Sequence, residues 1–220
     1  MDSVRKAAIA LKKGGFAVLH DGCGREDEAD LLLLAELATP QKVRTLRKEA
    51  GGLICVATDS KTASRLGLEF ANELHANSKS RIIAKMGKKR MAYGDHPAFT
   101  ISINHNSTFT GITDNDRAKT IREFGLLVKR KGNAAEFARN FRAIGHVFLL
   151  AGRGLENRKG HTELSVELAK RAGATPAVVL CEMLSDSGKA ANKREAIAYA
   201  KKCNIPFIEG KDLMGEICDC

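Results

Sequence analysis

Five acids compressed into residues 21–30 constrain this chain more than any other stretch. The span His20-Asp-Gly-Cys-Gly-Arg-Glu-Asp-Glu-Ala-Asp30 lies between two short apolar runs, Phe16-Ala-Val-Leu19 and Leu31-Leu-Leu-Leu34. Runs of that length and character read as buried strands. The acids are therefore expected in a loop pinned at the edge of a sheet, where solvated carboxylates would not ordinarily collect. Carboxyl groups held close together raise one another's pKa values unless a cation joins them. The cluster predicts a partner of positive charge.

A second stretch, 145–182, supplies candidates. A strand over 146–150 leads into the basic loop Arg158-Lys159-Gly160-His161-Thr162. A helix over 162–172 follows, with Leu164, Val166, Leu168 and Ala169 forming its apolar pattern, and a buried strand over 177–182 ends in Glu182. A helix start flanked by cations offers spare backbone N–H groups to a phosphate. His161 in that position can ligate a metal or hold a proton. Glu182 follows Val-Val-Leu-Cys, and a carboxylate there requires a partner if buried. His146 sits beside Gly145 at a strand start. Oxygen-rich sites with one imidazole suit Mg²⁺ or Mn²⁺ better than zinc. A divalent ion bridging Glu26 and His161 would relieve the acid repulsion and present an electrophile to the hydroxyls of a phosphosugar.

The remaining pattern predicts helices over 2–13, from Thr39-Pro40 to Gly51-Gly52, from Asp59 or Ser60 to about Gly67, over 118–131 and over 192–203. Residues 133–141 read as one or two helical turns and 211–217 as a terminal helix. Strands are expected over 53–57, 99–103 and 206–208. Periodicity fades over 70–97, which reads as an irregular surface excursion. Strands and helices mix without a strict βαβ repeat, so the expected fold is α+β: a single domain over 1–220 with a mixed sheet flanked by helices.

The formal net charge of +10 raises the question of nucleic acid. Six cations and no acid fall in 79–90, but the chain has no Trp and only two Tyr, so base-stacking side chains do not interleave with them. A solvated basic loop is the expected reading, and nucleic-acid binding is not expected. No apolar run reaches the ~20 residues of a membrane span. The charged N-terminal segment does not read as a secretory signal. The six cysteines show no metal-type CxxC pairing, and a cytoplasmic protein with reduced thiols is expected.

Five motifs in order carry a resemblance: Arg-Glu-x-Glu-x-Asp at 25–30, Thr-Gly-Ile with Asp-Arg at 110–117, Gly-His-Val-Phe at 145–148, Arg-x-Gly-His-Thr-Glu at 158–163, and Cys-Glu at 181–182. Together they resemble the 3,4-dihydroxy-2-butanone 4-phosphate synthases of riboflavin biosynthesis. The resemblance implies conversion of D-ribulose 5-phosphate to L-3,4-dihydroxybutan-2-one 4-phosphate and formate, with Mg²⁺ or Mn²⁺, two ions per site. It implies Glu26 and His161 as metal ligands, and Arg25, Glu26, Asp30 and Arg158, Lys159, Gly160, His161, Thr162 as substrate-binding residues. His146 and Glu182 are implied as essential catalytic side chains, and Glu28 and Asp30 can join them in moving protons. It further implies a homodimer whose sites the partner chain completes. Cys55 would face the site, with a structural thiol as its expected role. Gly22-Cys23-Gly24 stand where the family usually has more acids, so a looser loop and a weaker second ion are expected. A fused cyclohydrolase-like extension is not expected. The rival readings are a nucleic-acid-binding or tRNA-modifying protein of related fold, and a metal-dependent phosphosugar isomerase or aldolase.

Overall fold

The computed structural model of the protein describes residues 2–22 and 25–214. Cys23, Cys218, Cys220 and the last part of the expected terminal helix lie outside the described residues. The chain opens with α1 (Ser3–Lys12), capped by the Asp2 carboxylate on the Val4 N–H, and buries Val4, Ala7, Ala8 and Leu11 as one stripe. Strands β1 (Ala17–His20) and β2 (Ala29–Leu34) follow. After a 3₁₀ turn, Thr39 caps α2 (Pro40–Thr45), which continues as a π-wound turn through Ala50. Then come β3 (Cys55–Thr58) and α3 (Ser60–Leu66).

The expected irregular excursion instead holds two short helices, α4 (Ala71–Ala76) and α5 (Arg81–Gly87). Almost every residue between 71 and 95 is exposed or half-buried. With so little buried on one side, no apolar period marks these helices in the sequence. Beyond them lie β4 (Phe99–His105), α6 (Asp114–Lys129), α7 (Ala134–Asn140) and β5 (Phe141–Ala151). β5 starts earlier than the strand expected over 146–150. Its first half alternates poorly in burial, and Arg142 donates to the carbonyls of His105, Thr108 and Phe109 on the neighbouring loop. The described chain ends with α8 (His161–Arg171), β6 (Ala177–Glu182), α9 (Lys193–Lys202), β7 (Phe207–Glu209) and α10 (Gly210–Met214).

One seven-stranded mixed sheet, in the order β4-β5-β3-β6-β2-β1-β7, carries the whole arrangement. β3 runs parallel to β5 and β1 parallel to β7; the other pairs are antiparallel. Period-2 alternation splits the apolar residues into two layers. Leu31 and Leu33 join α2, α6 and α9 on one face. Leu32 and Leu34 join α1 and α8 on the other. Each of these leucines is 0–1% exposed and contributes roughly 1.5–3 kcal/mol by burial. The same alternation aims the strand-end polar residues. Asp30 shares parity with Leu32, and Glu182 with Leu180 and Val178, so both point to the face covered by α8.

Phe124, Phe137 and Phe141 interlock on the opposite face, with edge-to-face centroid distances of 6.0 and 6.4 Å from Phe124 to its two partners. They tie α6, α7 and the start of β5 together. Phe124→Ala is expected to lower unfolding free energy by about 3–5 kcal/mol, measured by urea denaturation with an unchanged m-value.

Candidate active site and metal centre

The site forms where three strand ends meet the first turn of α8. Antiparallel pairing sets Asp30 of β2 directly opposite Glu182 of β6. The same register sets Cys55 of β3 opposite Leu180. Glu182 Oε2 accepts the Leu53 N–H at 2.7 Å, and the Glu182 carbonyl accepts the Gly52 N–H at 3.0 Å. Gly52 has to lack a side chain here, since a Cβ would come within 2.5 Å of both the Glu182 carbonyl oxygen and Oε2.

His161 is the first residue of α8, and the preceding Gly160 supplies no side-chain cap. Its Nε2 lies 3.1 Å from the Glu28 carbonyl oxygen. A proton donated there fixes the tautomer and leaves Nδ1 as the ligating nitrogen. Nδ1 lies 3.8 Å from Asp21 Oδ2 and 3.8 Å from Glu26 Oε2. One ligand atom from each of Asp21, Glu26 and His161 falls within 4.8 Å of the others. Donors around an octahedral ion with bonds of about 2.1 Å are separated by about 3.0 Å when adjacent and about 4.2 Å when opposite. The three groups fit Mg²⁺ or Mn²⁺ with little movement, and their chemistry, two hard oxygens and one imidazole, suits either ion. Asp21 also closes the acid loop, because its carboxylate accepts the N–H groups of Glu26 and Glu28 at 3.2 and 3.1 Å. This ties the loop down from both sides of residues 23–24.

Charge is concentrated. Burial pushes the Asp30 carboxyl up to about 7, helped by nearby Glu182, Glu26 and Asp21 and opposed by His161. Burial and Glu26 raise Glu28 as well. The His161 imidazole holds Glu26 down to about 2. Burial alone would lower His161, but Asp30, Glu26 and Asp21 outweigh it and hold the imidazolium up to about 10. These groups open onto a cavity of about 280 Å³, with Glu26, Glu28, Asp30, His161, Thr162 and Glu182 on its polar side and Cys55, Phe99, Leu150 and Leu180 as its apolar floor. Burial drives the Cys55 thiol well above its usual range, so it stays protonated.

Arg158 lines the same cavity and is nearly buried; its Nη1 donates to Glu163 Oε2 at 2.7 Å. Arg25 lies alongside it, 3.2 Å from Asp95 Oδ2. Lys159 is exposed, and Gly160 takes part through the backbone at the helix start. His146, like Arg25, Lys159 and Gly160, is not among the residues that line the cavity. It lies exposed on β5, bonded to Asn104 through its own N–H (2.9 Å) and ring Nδ1 (3.1 Å). Four residues join the site beyond those expected from sequence. Asp21 was visible only as a leading acid of the loop. Glu163 ends the Arg-x-Gly-His-Thr-Glu motif at 158–163, which contained it without giving it a role. Tyr93 and Asp95 come from the excursion, where no periodic pattern marks them.

A sequence model described as 3,4-dihydroxy-2-butanone 4-phosphate synthase matches residues 5–216. The chain belongs to the 3,4-dihydroxy-2-butanone 4-phosphate synthase family. It is 40% identical to the synthase of Methanosarcina mazei over 97% of this chain and 90% of that protein. It is 41% identical to that of Archaeoglobus fulgidus over 93% of this chain and 90% of that protein. A riboflavin biosynthesis protein of Bacillus cereus is 36% identical over 96% of this chain, which spans 48% of that longer protein. Among solved structures, a synthase in complex with two magnesium ions superposes with a TM-score of 0.75 at 28% identity, covering 97% of this chain and 95% of that one. The synthase of Candida albicans gives 0.74 at 30% identity, covering 98% and 97%. The family assigns the chain a role in riboflavin biosynthesis, and the mixed α+β sheet agrees with these neighbours. Among the described residues, no helix is long and apolar enough to cross a membrane.

A divalent ion has to expel the His161 proton, so Mn²⁺ affinity should rise with pH below about 10. Titration calorimetry in buffers of different ionisation heat should show proton release on binding. His161→Asn and Asp21→Asn should each weaken Mn²⁺ binding at least about tenfold.

Proposed function

We propose that the chain converts D-ribulose 5-phosphate into L-3,4-dihydroxybutan-2-one 4-phosphate and formate, with Mg²⁺ or Mn²⁺ held by Glu26 and His161 and supported by Asp21. The observation that carries this reading is the convergence of Asp21, Glu26 and His161 at ligand spacing beside a guanidinium pair. When bound, the ion would polarise the carbonyl and hydroxyl oxygens of the sugar. Arg158 and Arg25, with the free N–H groups at the start of α8 and the Thr162 hydroxyl, would hold the phosphate. That pins one end of the substrate and lays its carbons along the carboxylates.

The reaction needs a proton taken from C3 beside the C2 carbonyl, loss of the C1 hydroxyl as water, a skeletal shift, and addition of water that expels C4 as formate. Asp30, with its carboxyl near 7, can accept or return a proton at neutral pH. Glu28, also raised by burial, is the second carrier. Glu182 is held rigidly by the Leu53 N–H and aimed at the cavity. It acts as a base toward the substrate. The protonated Cys55 thiol contributes packing and no nucleophile.

His146 enters from the partner subunit of a homodimer. Two exposed apolar residues support this: Ile144, two positions from His146, is 89% exposed, and Phe109, whose carbonyl accepts from Arg142 of the same strand, is 95% exposed. Exposed apolar side chains of this size mark contact surfaces. The free thiols of Cys55, Cys181 and Cys203 suit a cytoplasmic setting.

Incubation with ribulose 5-phosphate and Mg²⁺ should release formate, and a chelator should abolish it. A phosphosugar isomerase or aldolase would consume substrate without formate. Glu182→Gln should lower kcat about 10²–10⁴-fold while metal binding persists. Mixing His146→Asn with Glu182→Gln subunits should restore activity that neither shows alone; no recovery would argue against the shared site.

A further inference from the structure

Asp95 occupies an unusual position in the phosphate end of the site. A single oxygen, Oδ2, accepts both the Arg25 Nη1 at 3.2 Å and the Arg158 Nε at 2.9 Å. The two guanidinium groups close over the start of α8. A Cβ on Gly160 would come within 3.0 Å of Arg25 Nη2 and closer still to Arg158 Nη1. Arg158 already has Glu163 as a buried partner. Arg25 Nε and Nη2 are buried and lack hydrogen-bond acceptors. Glu26 Oε1 stands 3.8 Å from Arg25 Nη2 and 4.0 Å from Arg158 Nη2, beyond hydrogen-bond reach, so Glu163 and Asp95 are the hydrogen-bonded counter-anions and donors of Arg25 stay unused.

Asp95 is carried by a strap that touches the site at few points. Residues 88–94 are all exposed. The Asp95 side chain itself remains one-third exposed. Besides Asp95, the strap is held by the Tyr93 hydroxyl, bonded to Glu26, and by the Tyr93 ring, 5.0 Å beneath the Arg25 guanidinium. Its other bonds are local: the Met91 N–H to the Asp95 carbonyl, Arg90 to the Gly94 carbonyl, the Lys89 N–H to the Met86 carbonyl of α5, and the His96 N–H to Asp95 Oδ1.

We propose that the Asp95 carboxylate is an internal counter-anion which the substrate's phosphate displaces from the Arg25–Arg158 pair, releasing the 88–95 strap. This rests on the phosphosugar reading of the site. A phosphate dianion offers oxygens to both guanidinium groups and to the unused Arg25 donors, and it carries more charge than one carboxylate. A sugar without phosphate cannot make that exchange and leaves the strap bound. Asp95 is thus a specificity-determining residue that selects phosphorylated substrates and couples their arrival to strap movement.

The test is titration of inorganic phosphate into the full-length protein and its Asp95→Asn, Asp95→Ala and Asp95→Glu variants. Loss of the competing charge from two partly exposed ion pairs should tighten phosphate binding about tenfold in the Asn and Ala variants. The Glu variant, which keeps the charge, should bind as the wild type does. With ribulose 5-phosphate, Asp95→Asn should lower KM without raising kcat. Unchanged or weaker phosphate binding in both the Asn and Ala variants would show that Asp95 merely arranges the arginines, and would overturn the proposal. A second measurement needs no variant: phosphate should accelerate tryptic cleavage of the wild type after Lys88, Lys89 or Arg90, and no acceleration would also overturn it. Failure of the wild type to release formate would remove the proposed reaction while leaving the phosphate result readable.

Discussion

Mutual repulsion among buried and half-buried carboxylates is the constraint on which this structure turns. Asp21, Glu26, Glu28, Asp30 and Glu182 gather around one imidazole at the edge of a tightly packed sheet. A protonated His161 offsets a single charge. The raised Asp30 and Glu28 and the depressed Glu26 are two responses to the same crowding, one to burial and one to the neighbouring cation. A divalent ion held at His161 Nδ1, as proposed, would supply more positive charge in the same space and would make the crowded acids a Lewis-acid centre.

The sheet makes such crowding tolerable. Its central strands β3, β6 and β2 are buried on both faces, and pairing between them fixes Asp30 against Glu182 and Cys55 against Leu180. A one-residue slip would bury the acids among the leucines of the opposite face. Registration of the site and registration of the core are therefore one property. α8 adds His161 from above through the same apolar residues, Leu164 and Leu168, that hold it on the sheet.

Much of this was legible beforehand where one face is buried and the other is not. The α1 stripe of Val4, Ala7, Ala8 and Leu11 and the 177–182 strand stood out by period, and the 21–30 acids stood out by their placement between apolar runs. Glu26 and His161, the proposed metal ligands, lie on one cavity with the carboxylates Glu28, Asp30 and Glu182, as their positions at strand and helix ends suggested. What escaped notice lacks such a signal. α4 and α5 bury too little to imprint a period, so Tyr93 and Asp95 could not be assigned to the site. Asp21 carries two backbone amides as well as the ligand geometry, a role that only three-dimensional proximity reveals. His146 stands exposed on β5, bonded to Asn104 and away from its own chain's cavity, a position that its place beside Gly145 did not signal.

Anomalous scattering from Mn²⁺ in crystals of the protein tests the central claim most directly. A peak within about 2.0–2.3 Å of a Glu26 carboxylate oxygen and of His161 Nδ1 is the expected result. Crystals grown with saturating Mn²⁺ that show no density between those two groups, or an ion bound only elsewhere, would contradict it.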